Sequence, residues 1–336
     1  VKSKSKLLAT KWLHISLGII ISFGALYLAL RGVDLRSVWL SIQNAIWEYV
    51  FLALGCVAIN TLAKTLRWRL LIGTPGQNIT NITYLKVLLA GQMLNTIFPA
   101  RLGELGRAYV LGGMGPGRSY VLGTIVLEKA LDSIAYIILF VALILLIPIP
   151  DWIGSSFFVF LLVTLTIVGG ILLLVFWPNP FIRLLNAFLN RMPERLRLWL
   201  SPRIESGLTS LEIVRRRDDL LRLVLWTGLI WCLAILTNYF TLLALDIHLP
   251  IPASMLILFV LQAGISIPSI PGTIGLFEYI CVLTLSVYGI NQSLALSFGL
   301  LLHAIVLIPS TLAGMVSFWS LGLSGQQGRF QDTIGK

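Results

Sequence analysis

Charge is what this chain lacks most. Asp, Glu, Lys and Arg make up 12% of its 336 residues, about half the share that coats an ordinary soluble domain. A chain so poor in charge and 57% hydrophobic cannot clothe a water-facing surface. Soluble enzymes, disordered proteins and secreted disulfide scaffolds are excluded. Cysteine and histidine are scarce, three of each. Cys56, Cys232 and Cys281 lie singly in apolar runs, with no CxxC and no Cys/His partner at metal spacing. Neither a zinc site nor a disulfide framework is suggested, and small buried side chains are expected. HExxH, a Ser-His-Asp set and a Walker loop are missing too, so hydrolysis and nucleotide-driven pumping lack residues. No metal and no cofactor is expected.

What is present is apolar runs and positive charge. The net charge is +11, from 25 Lys+Arg against 14 Asp+Glu. No nucleic-acid-reading module accompanies it, and basic cytoplasmic loops account for it. Six stretches meet the roughly 20 apolar residues a span needs: 12–30, 47–66, 119–147, 152–177, 220–245 and 293–321. The first is too long for a signal peptide and has no clear cleavage site, so it reads as a retained helix. Two further apolar segments, 84–112 and 252–289, are interrupted by Asn95, Pro99, Gly103 and Gly106, and by Gly264, Pro268, Pro271, Gly272 and Gly275. Backbone freed in mid-membrane survives only where protein or a wet cavity covers it. Both segments therefore read as re-entrant hairpins. With the N-terminus inside, the inner loops then hold Lys64, Arg67, Arg69, Arg118 and the basic stretch 183–222, while Arg31 and Arg36 are the basic residues of the outer loops. That bias fits the positive-inside rule.

The expected fold is an all-α polytopic bundle, one integral membrane domain over 1–336, with both termini cytoplasmic. Pro99-x-x-x-Gly103 and Pro271-x-x-x-Gly275 lie 172 residues apart, and the same offset carries the second span onto the fifth and the third onto the sixth. Two half-repeats follow, 47–147 and 220–321, each reading span, hairpin, span and inverted relative to the other. Inverted repeats with matching broken helices point to a transporter's midplane site. The stretch 181–219, broken by Pro193 and Pro202, carries Ile204, Leu208 and Leu211 at helical spacing and reads as an interfacial helix on anionic lipid.

The polar residues inside apolar runs mark the candidate site. Arg101, Glu104 and Arg107 recur every three residues, and Glu128 and Asp132 share a helical face beside Lys129. These six sum to a neutral cluster. It either locks helix register or binds a head group, with Arg101 and Arg107 on a phosphate and freed backbone N–H groups at half-helix starts adding donors. The second hairpin offers Thr273, Gly275 and Glu278. His303 reads as a core or pore-lining residue.

The chain resembles the lysylphosphatidylglycerol synthase transmembrane-region family of flippase-like membrane proteins. The resemblance rests on Asn95-Thr-Ile-Phe-Pro-Ala-Arg-Leu-Gly-Glu-Leu-Gly-Arg107, Glu128-Lys-Ala-Leu-Asp132 and Pro271-Gly-Thr-Ile-Gly-Leu-Phe-Glu278. The family's patterns there are close to P-x-R-x-G-E-x-x-R, E-R-x-x-D and G-G-x-G-x-x-E. Lys129 stands where the family usually has Arg, and the Gly-Gly pair is reduced to Gly272. Full-length synthases of this kind add a soluble aminoacyl-transferase domain. This chain ends at Lys336 just past the sixth span, so the resemblance implies a stand-alone membrane module, more a carrier than an enzyme.

The function implied is a translocator of a phospholipid or lipid-linked glycan in a prokaryotic plasma (inner) membrane. Its partners are membrane lipids and, by extension, envelope-biosynthesis enzymes. The substrate-binding set is Asn95, Arg101, Glu104, Arg107, Glu128, Lys129, Asp132, Thr273, Gly275 and Glu278. The alternatives are a membrane-embedded glycosyl- or head-group transferase using a lipid-phosphate donor, with an interior carboxylate as base, and a scaffold for envelope enzymes.

Overall fold

The computed structural model describes residues 20–98, 102–147, 189–264 and 269–334, with single positions at 18 and between 162 and 187. Every element among them is helical. In chain order they are α1 (Ile20–Leu30), α2 (Leu35–Gln43), α3 (Trp47–Ile72), α4 (Asn81–Ile97), α5 (Leu102–Gly112), α6 (Arg118–Leu146), α7 (Glu194–Thr209), α8 (Arg217–Ala244), α9 (Ile251–Gly264), α10 (Leu276–Ser286) and α11 (Gln292–Ile334).

Four helices are long and apolar enough to cross a bilayer: α3, α6, α8 and α11 as far as Gly322. The expected span 152–177 lies outside the described residues, as does the start of the one at 12–30. The two interrupted segments each form a pair of shorter helices. α4 and α5 have 17 and 11 residues, α9 and α10 have 14 and 11. At 1.5 Å per residue these reach only about 16–26 Å, short of the roughly 30 Å hydrocarbon core.

α3 and α8 pack along each other more extensively than any other pair. Ile46 N–H donates to the Ala244 carbonyl (2.8 Å), Asn60 Nδ2 to that of Ile230 (2.6 Å), and Arg67 Nη1 to Thr227 Oγ1 (3.1 Å). The partner number falls as the α3 number rises, so the two helices are antiparallel. Several of the remaining contacts come in matched sets: α4 on α5 and α9 on α10, α5 on α6 and α10 on α11, α3 on α4 and α8 on α9, α4 on α11 and α9 on α6.

Two apolar cores result. One gathers α1, α9, α10 and the adjoining halves of α3, α6, α8 and α11. The other gathers α4, α5 and the opposite halves of α3, α6 and α8, with Leu211 and Val214. Between them, α3 and α8 bury a run of polar side chains: Asn60, Thr65, Arg67, Thr227, Thr237, Asn238 and Thr241.

Four details differ from the sequence reading. α3 continues six residues past Leu66, to Ile72, because Arg67-Trp-Arg-Leu-Leu-Ile keeps good helix formers in register. Lys64 and Arg67 are therefore helical rather than loop residues, and Arg67 is 1% exposed. Pro193 precedes α7, but Pro202 sits inside it. α7 also docks on protein. Gly207 lies against Gly123 of α6, where a Cβ would meet the Gly207 carbonyl at 2.5 Å. Cys56 and Cys281 are buried as expected, whereas Cys232 is exposed. The short α2 was not foreseen. Asp34 starts it by accepting from Arg36 N–H (3.0 Å) and Ser37 Oγ (2.6 Å).

Candidate functional site

Three ion pairs tie α6 to its neighbours. Arg107 of α5 grips Glu128 bidentately, Nη1 to Oε1 at 3.2 Å and Nη2 to Oε2 at 2.7 Å, and its guanidinium lies 4.1 Å over the Trp68 ring. Arg67 of α3 reaches Asp132 at 2.7 Å and shares the same Nη1 with Thr227 of α8. Lys129 meets Glu104 of α5 at 2.9 Å. The cluster grades from dry to wet. Arg67 and Arg107 are 1% and 6% exposed at the side chain, Glu128 11%, Glu104 20%, Asp132 31% and Lys129 49%. One edge is thus open while the arginines sit inside.

The local sequence makes this possible. Gly91 faces the Arg107 side chain, and a Cβ there would approach its Cγ to 2.6 Å. A Cβ on Gly103 would collide with the Gly91 carbonyl and the Asn95 side chain. The two glycines close the α4–α5 hairpin tightly enough for Arg107 to cross it toward α6.

The sequence-derived residues fall into four groups. Glu104, Arg107, Glu128, Lys129 and Asp132 come together, but the partnerships run between helices rather than along α5. Asn95 plays another part: its Oδ1 accepts the Gly103 N–H at 2.7 Å and pins the start of α5. Arg101 lies outside the described residues. On the second hairpin, Glu278 Oε2 accepts Gly275 N–H (2.7 Å), Oε1 meets His303 Nδ1 (2.6 Å), and Thr273 Oγ1 bonds the Gly272 carbonyl (2.7 Å). The backbone donors expected to be free at Gly103 and Gly275 are therefore both satisfied by side chains of the chain itself.

The sequence reading missed Arg67, Lys64 and Trp68. Lys64 stands one turn before Arg67 on α3, within electrostatic reach of Asp132, Glu128, Arg67 and Lys129. It makes no ion pair among the described residues. With these additions the described cluster holds four cations, Lys64, Arg67, Arg107 and Lys129, against three carboxylates. Among the described residues these three N–H donors are buried without an acceptor: Arg67 Nε, Arg107 Nε and Trp68 Nε1. The signal was in the sequence, a Lys64-x-x-Arg67 spacing that continues α3's helical period, but a cation at the end of an apolar run also satisfies the positive-inside rule.

Spans of this length, paired short helices and ion pairs buried between them define a multi-pass integral membrane protein. Residues 15–314 match the family described as the lysylphosphatidylglycerol synthase TM region, and the chain belongs to that family. It is also similar to two other membrane proteins. One is a UPF0104 membrane protein of Pyrococcus horikoshii, 23% identical over 327 residues, covering 91% of this chain and 96% of that one. The other is a UPF0104 membrane protein of Methanothermobacter thermautotrophicus, 24% identical over 332 residues, covering 91% of this chain and 88% of that one.

Proposed function

We propose that this protein carries a phosphate-bearing lipid, either a phospholipid or a lipid-linked glycan, between the leaflets of a prokaryotic plasma membrane. The observation that carries this reading is the surplus of donors in the α3–α5–α6 cluster. Among the described residues four cations face three carboxylates, Lys64 has no carboxylate of its own, and three N–H groups lack acceptors. Such a set suits an anion with several acceptor oxygens. Lys129 and Glu104 form the half-open mouth, with Lys64, Arg67, Arg107 and Trp68 behind it. The Arg107 fork is held by Glu128, so it offers the phosphate its Nε and its charge. Arg101, three residues before Glu104, would add another cation.

The architecture we assign is six spans and two re-entrant hairpins in inverted halves, both termini cytoplasmic. Four features support it. The starts of α3, α4, α5 and α6 recur near those of α8, α9, α10 and α11 at a nearly constant offset. α3 and α8 are antiparallel, the paired helices are short, and the basic residues cluster on one side. α7 exposes Leu198 and Trp199 between basic residues, as a helix at the bilayer surface does. The transferase alternative is disfavoured because Glu104, Glu128 and Asp132 are all engaged by cations, so none is poised as a base.

Lipid binding to the purified protein tests this. Phosphatidylglycerol and a polyprenyl phosphate should bind more tightly than diacylglycerol in native mass spectrometry. Lys64→Ala should weaken the phosphate-bearing lipids by about tenfold, the worth of one charge-assisted hydrogen bond. Equal binding of neutral and phosphate-bearing lipids, unchanged in Lys64→Ala, would remove the basis of the proposal.

A further inference from the structure

The second hairpin holds a buried titratable pair that the head-group site does not use. Glu278 of α10 is 3% exposed and His303 of α11 is 9% exposed. Nδ1 of the ring lies 2.6 Å from Oε1, and the ring stacks on Phe277 with centroids 4.3 Å apart. The other oxygen, Oε2, accepts the Gly275 N–H and fixes the start of α10. The backbone leading into it turns with positive φ at Gly272 (74°), Thr273 (56°) and Gly275 (86°), and is strained at the β-branched Thr273. α1 covers this turn. Ile270 N–H donates to Ser22 Oγ at 2.9 Å, and a Cβ on Gly275 would lie 2.5 Å from the Ser22 carbonyl. One carboxylate thus joins the strained turn, α10 and α11.

The charge on this pair depends on one proton. With the ring neutral, Nδ1–H donates to Oε1 and the pair carries a single negative charge. A proton added at Nε2 gives an imidazolium beside the carboxylate and no net charge. Among the described residues nothing else nearby supplies a cation. The titratable neighbours on α10 are Tyr279 and the Cys281 thiol. α9 has no ionisable residue, α1 presents Ser22 and the outward Tyr27, and α4, which touches the turn, has Tyr84 and Lys86 near its own start. A lone carboxylate is costly to keep dry.

We propose that Glu278 and His303 form a proton-binding site whose occupancy holds the second hairpin closed against α1 and α11. Releasing the proton leaves a charge that water must reach, so release and opening of residues 269–276 are linked. One linked proton changes the opening equilibrium by up to about tenfold per pH unit, toward the open form as pH rises. The site is independent of the lipid, and its test contains no transport substrate. Where the carrier reading holds, it supplies a proton gradient as the drive.

Hydrogen exchange on the full chain in nanodiscs, corrected for the intrinsic pH dependence of exchange, reads the opening directly. Across the pH range in which the protein stays folded, exchange at 269–280 should rise steeply with pH in the wild type while that of α3 does not. His303→Gln keeps an amide donor for Oε1 but cannot titrate, and should abolish the rise. A flat wild-type profile, or the same rise in both proteins, overturns the proposal. Should His303→Gln fail to fold, His14→Asn with His248→Asn leaves His303 as the sole imidazole. Its ¹⁵N signals should then show loss of the second proton in step with opening, and a ring singly protonated throughout the range overturns the proposal.

Discussion

Removing Glu128 while keeping Arg107 tests whether the cluster's energetics are those of a desolvated pair. Both side chains are nearly dry, 6% and 11% exposed, and the bond is bidentate. Glu128→Leu leaves the guanidinium against Trp68 with Lys64, Arg67 and Lys129 nearby, so repulsion adds to the stranded charge. Breaking one partner of a buried pair costs about 3–5 kcal/mol. Arg107→Leu strands the carboxylate and should cost a similar amount, eased by the same cations. The double Leu variant removes both charges and should regain most of the loss, giving a coupling energy of at least about 4 kcal/mol. The assay is reversible unfolding in mixed micelles followed by tryptophan fluorescence, run on all four corners of the cycle. Single-variant losses below about 0.5 kcal/mol, the range of ordinary surface changes, would refute the buried-pair reasoning, as would losses that simply add.

Lys129→Ala, at a pair whose lysine is half exposed, should alter stability by at most about 1 kcal/mol in the same assay. Thr273→Gly should stabilise the fold by about 1 kcal/mol, because a β-branched residue is held in the left-handed region; a destabilised variant would contradict the turn geometry. Gly103→Ala should prevent the α4–α5 hairpin from closing and lower the yield of folded protein, since its Cβ collides with Gly91 and Asn95; unchanged yield and melting temperature would count against the packing. Single-cysteine labelling in intact cells, with Cys232 replaced, should place Asn78, Gly115 and Arg203 on the cytoplasmic side and Asp34, Asp246 and Asn291 outside. Asn78 and Gly115 labelling from opposite faces would mean that the first hairpin crosses.

The helices were legible where composition alone decides. The apolar runs foretold α3, α6, α8 and α11 to within a few residues at most ends, and Pro/Gly interruptions marked both broken segments. Partnerships across helices were not legible. The three-residue spacing of Arg101, Glu104 and Arg107 puts them on one helical side without naming their partners; Glu104 and Arg107 each bond to α6, because a close glycine contact turns α5 toward it. Arg67 was hidden by ambiguity, since a cation ending an apolar run is as good a loop anchor as a buried ligand. Asn95 and Glu278 were read as substrate ligands from their place beside helix breaks. The same place explains their part as caps, since a broken helix needs a side-chain acceptor for its first N–H groups. Thr273 stands where the family pattern has its second glycine, and the positive φ there is the reason a glycine suits that position.

Leaflet exchange in reconstituted vesicles tests the central claim most directly. The protein is placed in liposomes containing a trace of fluorescent phosphatidylglycerol, and an impermeant reductant is added outside. In protein-free vesicles only the outer-leaflet label is quenched. With the wild type, quenching should proceed toward the whole population. It should fall back toward the outer-leaflet share with Lys64→Ala, and a fluorescent diacylglycerol should not compete. Quenching that stops at the outer-leaflet share with folded wild-type protein, with and without a pH gradient and for phosphatidylglycerol and polyprenyl phosphate alike, would contradict the account.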